Sequence, residues 1–140
     1  MKNLRSILFA LTVLLLATAA QAQTTNVKAN VPFDFVVGDH TYPAGEYTVK
    51  SMAIDSVAIR IDNADESEKG MILSNACQKA QAARQTTLVF QRLGDNYFLY
   101  QVWTEGNSRG REFPMSKAEV KIAKNYSKHE LVIVAANISH

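Results

Sequence analysis

The residues best suited to recognition chemistry form an aromatic and basic set: Tyr97, Trp103, Arg109 and Arg111. Flat rings beside guanidinium groups can stack on a sugar or another planar ligand, or anchor a protein partner. The same residues also fit plain packing, with Tyr97 and Trp103 covered by another element and the arginines balancing nearby acids. Material for catalysis is sparser. His40, His129 and His140 fall in no metal-ligand spacing and read as solvated loop histidines. Asp62, Asp65, Glu66 and Glu68 together resemble a calcium loop, but Ala64 stands where an oxygen ligand is needed, so a solvated acidic hairpin turn is expected. There is no G-x-S-x-G elbow and no phosphate-cradling glycine loop, and Cys77 has no histidine near it in sequence. No catalytic residue, metal ligand or cofactor is therefore expected. A triad assembled in space from distant residues is the arrangement that motifs leave open.

The elements that must position these groups have a period of two, the signature of strands. Val27, Ala29, Val31, Phe33, Phe35 and Val37 alternate with Lys28, Asn30 and Asp34. Pro32 lacks a ladder donor, which predicts an edge strand or a bulge there. Gly38-Asp39 and Pro43-Ala44-Gly45 supply turns around a strand containing Tyr47 and Val49. Val57, Ile59 and Ile61 mark a further strand, and Met71 to Ser74 another. Ala76 to Gln85 fits either a short helix or a long hairpin loop.

The clearest unit runs from Thr86 to Trp103. A three-residue loop, Gly94-Asp95-Asn96, would pair Phe90 with Tyr100, Leu88 with Val102 and Arg92 with Phe98 on one apolar face. Tyr97 and Trp103 then share the second, half-apolar face with Leu93, Val89 and Thr87. A cover for that face is expected from a helix over about 115–126. Ser116 and Glu119 form a capping box ahead of a stripe of Met115, Ala118, Ile122 and Tyr126. The run Leu131 to Ala136 is apolar throughout and predicts an interior strand buried on both sides. In all, the pattern predicts a mostly β single domain, an antiparallel barrel or sandwich of about seven or eight strands with one short helix.

The first 22 residues read as a cleaved signal peptide. Lys2 and Arg5 precede an apolar run from Ile7 to Ala17, and Ala20-Gln21-Ala22 supplies the small residues of a cleavage site. The apolar run falls short of the ~20 residues that span a bilayer. Losing Lys2 and Arg5 takes 15 basic residues to 13, equal to the 13 acidic ones, so residues 23–140 carry no formal net charge. That removes the long-range attraction a nucleic-acid or anionic-membrane partner would need. Cys77 is the only cysteine, so no internal disulfide forms; it is either buried or able to cross-link two chains.

The stretches Val31-Pro32-Phe33-Asp34-Phe35-Val36-Val37-Gly38 and Pro43-Ala44-Gly45-Glu46-Tyr47-Thr48-Val49 resemble the start of a family of small exported bacterial β proteins of unknown function. Arg92, Gly94-Asp95, Tyr97-Phe98-Leu99, the run Arg109 to Glu112 and Pro114 fit the same pattern. The resemblance implies export and one β domain, and brings no site residue with it. The resulting expectation is a non-enzymatic domain, periplasmic or extracellular, that binds a small ligand or an envelope protein. Its alternative is a structural module that self-associates through its N-terminal edge strand. An enzyme would require titratable groups converging in one pocket.

Overall fold

A computed structural model describes residues 26–53 and 56–139, so the expected signal segment and His140 lie outside the described residues. Twelve short strands and one helix are present among them. They are β1 (Asn26–Val31), β2 (Phe35–Val37), β3 (His40–Tyr42), β4 (Gly45–Ser51), β5 (Ala58–Asn63) and β6 (Lys69–Leu73). Then follow β7 (Asn75–Gln78), β8 (Thr87–Leu93), β9 (Asn96–Trp103), β10 (Arg109–Glu112), α1 (Lys117–Ala123), β11 (Glu130–Ala135) and β12 (Asn137–Ser139). One sheet has the order β12-β1-β4-β5-β6 and the other β11-β8-β9-β10-β7, with β2 joining β9 in parallel and β3 pairing β2. The sheets do not close into a barrel, and the architecture is sandwich-like.

The strand count exceeds the expected seven or eight because apolar runs that look continuous are divided where the chain changes sheet. β1 stops at Val31, and Pro32 lies beyond its end. The strand is neither bulged at Pro32 nor an edge, since β4 pairs it on one side and β12 on the other. The chain then crosses to the second sheet, and Asp34 Oδ1 accepts from the Ala44 N–H at 2.8 Å. The chain returns to the first sheet between β3 and β4, and Ser74 makes a third crossing between β6 and β7, its N–H and hydroxyl both donating to the Val57 carbonyl. Ala136 makes a fourth between β11 and β12, donating to the Thr86 carbonyl at 2.9 Å.

The C-terminal run is also corrected. β11 is an edge strand with one covered face: Leu131 and Ile133 are 57% and 63% exposed, while Val132 and Val134 pack on the core. Apolarity at every position does not bury both faces when no layer lies outside the sheet.

The hairpin turns through two residues, Gly94-Asp95, with Gly94 at φ +62°, so Leu93 faces Asn96 and Phe90 faces Leu99. An extra residue at Tyr100 bulges out, and beyond it the expected pairs return: Val89 with Gln101, Leu88 with Val102, Thr87 with Trp103. The bulge reverses the facing of the β9 residues nearer the tip. Tyr97 and Leu99 point inward with Phe90, and Trp103 points outward.

Ser116 caps the helix as expected. Ser116 Oγ accepts from the Glu119 N–H at 3.0 Å, which is the N-cap half of the box. The helix is only seven residues long and leaves Met115, Ala118 and Tyr126 exposed, with Ile122 half-buried. The buried residue is Glu119, whose carboxyl is pushed up from its ordinary pKa by desolvation. At low pH the folded and unfolded chains are both protonated there and no penalty arises. The penalty grows as pH rises through the ordinary glutamate range and is complete above the raised folded value. Glu119→Gln, which keeps the side chain's size and shape, should raise the urea midpoint at neutral pH and leave it nearly unchanged at about pH 3.

Candidate functional site

The core is polarised along the strands. At one end aromatic side chains fill the space between the sheets. Phe33, from the crossing, stacks on Tyr97 with centroids 3.9 Å apart. Phe35 stacks on Tyr42 and meets Tyr47 and Phe90 edge-on at 5.0 and 5.4 Å. At the other end the facing residues are short, including Ser51, Ala53, Ser74 and Ala76, and they leave an open cleft of about 1060 Å³. Its apolar walls come from both sheets: Val27, Val49 and Ile59 from the first, Val102 and the following Phe113 from the second. This volume lies just above the ~300–1,000 Å³ typical of small-molecule sites.

The four sequence candidates do not converge. Tyr97 lies six residues from Trp103, roughly 20 Å along the strand, and is half-buried under Phe33 with Arg92 5.6 Å from its ring centroid. Trp103 is 6% exposed on the outer face, in a cluster with Ala83 and Val89, and Lys79 Nζ sits 3.9 Å from its ring centroid. Its Nε1 donates to Gln101 Oε1 at 3.1 Å, and Gln101 Nε2 donates to Glu112 Oε2 at 2.8 Å. The expected cover of this face is corrected accordingly. It comes from residues 79–86, tied to the 104–108 loop by Lys79 to Ser108, Ala83 to Asn107 and Gly106 to Ala83 backbone bonds. The helix does not provide it over Trp103.

Arg109 and Arg111 are placed differently. They alternate with Gly110 and Glu112 along β10, and Arg111 lies opposite Val102, an inward residue. Both line the cleft. Gly110 lies on the outer face, where its lack of a side chain lets the Trp103 ring rest on the strand. The signal for this was present in the Arg-Gly-Arg alternation, which puts two guanidinium groups on one face. The apolar walls opposite carried no comparable signal.

The remaining titratable groups stay apart. His40 meets Glu68 at 3.0 Å and His129 meets Gln91, both on the surface. Asp62 is buried on the outer side of the first sheet between Arg60 at 2.7 Å and Lys50 at 3.5 Å. Asp65 and Glu66 are held below their ordinary pKa by Ser67 and Lys69 respectively, as local turn contacts. Cys77 is half-buried beside Trp103; burial, then the Glu112 charge, raise its thiol pKa and oppose thiolate formation. Among the described residues no three His, Cys, Asp or Glu groups gather as a metal site. No helix among them is long and apolar enough to cross a membrane. No protein-family model, curated protein or solved structure matches the chain.

Proposed function

We propose that this chain is an exported, non-enzymatic β domain of the cell envelope that takes a small, largely apolar ligand between its two sheets. The observation that carries the reading is the cleft itself. The sandwich is filled with aromatic rings at one end and left open by short residues at the other. Burying a ligand's apolar surface against Val27, Val49, Ile59, Val102 and Phe113 supplies the driving force. Export and the kinship with small exported β proteins are part of the same proposal, supported by the first 22 residues and by the Val31–Gly38 and Pro43–Val49 stretches.

Titration with neutral 1-alkanols from hexanol to decanol should show binding that tightens about three- to fourfold per added methylene. Ala76→Trp places an indole in the cleft from an exposed position on β7 and should abolish that binding with the fold retained. Binding indifferent to chain length and to Ala76→Trp would remove the reading.

Self-association remains the second reading, supported at a different place from the N-terminal strand. β1 has neighbours on both sides, whereas β11 is an edge carrying exposed Leu131 and Ile133. Light scattering at rising concentration separates the two.

A further inference from the structure

Resting on the cleft as a ligand site, we propose that its ligand is an amphipathic anion, an alkyl chain lying between the sheets with a carboxylate held by Arg109 and Arg111. Charge complementarity carries this. Among the described residues that line the cleft, these two arginines are the only charged ones, with no aspartate or glutamate among them. Neither guanidinium makes an ion pair or a side-chain hydrogen bond among the described residues, whereas Arg60 reaches Asp62 and Arg92 reaches Glu130. Their position fits a head group and not a tail. Arg109 is exposed at the mouth, Arg111 is half-buried one pleat further in, and the valine walls lie beyond. Across β7 the paired residues are Gln78 and Ala76, both neutral.

A guanidinium presents paired donors that match a carboxylate's two oxygens, so two of them on one face would fix the head group and set the chain's direction. A neutral apolar ligand would leave both unused, and a cationic one would be repelled.

The test compares three ligands of one chain length, decanoate, decanol and decyltrimethylammonium, on the unmodified protein and on the Arg109→Gln/Arg111→Gln variant. Charge-assisted hydrogen bonds are worth roughly 10- to 100-fold in affinity, and the exposure of Arg109 sets the expectation at the lower end. Decanoate should bind about tenfold tighter than decanol, with the cation weakest, and the double variant should bring decanoate down to the level of decanol. Equal binding of decanoate and decanol, or a preference that survives in the variant, would overturn the anion while leaving the cleft as a binding site. Failure of all three ligands to bind would overturn the cleft reading with it.

Discussion

Phe35→Ala should lower the free energy of unfolding by about 3–5 kcal/mol, the range for deleting a buried phenylalanine ring. Phe35 is 2% exposed, and its neighbours come from both layers. Tyr47 belongs to the first sheet and Phe90 to the second, and Tyr42 stands directly opposite on β3. The hole left by the ring cannot close easily, because Tyr47 is itself pinned by its hydroxyl donating to the Pro43 carbonyl at 2.6 Å. For a domain whose stability is of the order of 5–15 kcal/mol, the loss would be a large part of the whole. Urea unfolding followed by circular dichroism measures it. A change below ~1 kcal/mol would mean that the aromatic end is not what joins the sheets. Leu131→Ala on the exposed side of β11 serves as control, with an effect within about 0.5 kcal/mol.

The second large effect is expected at Gly110. A Cβ added there would stand 2.7 Å from Trp103 Cε3 and 2.8 Å from the Val102 carbonyl oxygen. The oxygen belongs to the backbone of β9, directly beside β10, and cannot swing away. The indole is held by Ala83, Val89 and its bond to Gln101, so it has no free direction either. Gly110→Ala must therefore part β10 from β9, at a cost of about 1–3 kcal/mol for overpacking. Trp103 is the chain's single tryptophan, so its emission reports this site alone. A red shift should accompany the loss of stability, and ligand affinity should fall because β10 carries Arg109 and Arg111. An unchanged emission maximum and stability would mean that the ring does not rest on Gly110.

Much of the local structure was legible in the residues because it depends on local chemistry. The period-two alternation marked the strands, and Ser116 with Glu119 marked the helix start to within a residue. The failures have a common cause in contacts between distant segments. Nothing near Pro32, Ser74 or Ala136 says that the chain changes sheet there, since the partners that receive it lie far away in sequence. The single residue bulged at Tyr100 is equally silent, yet it separates Tyr97 from Trp103 and dissolves the proposed aromatic site. Apolar content misled at β11 because it reports what could be buried and not whether a covering layer exists. Of the candidate site, the two arginines stood out by residue type and by their nearness to the hairpin, but not as part of a strand. The cleft they face did not stand out, because it consists of what Ser51, Ala53, Ser74 and Ala76 fail to fill.

The most direct test of the central claim is methyl NMR of the protein labelled at isoleucine, leucine and valine and titrated with decanol. Shifts should concentrate on Val27, Val49, Ile59 and Val102 while Leu131 and Ile133 stay in place. Shifts gathered on Leu131 and Ile133, or none at the four cleft residues, would contradict it.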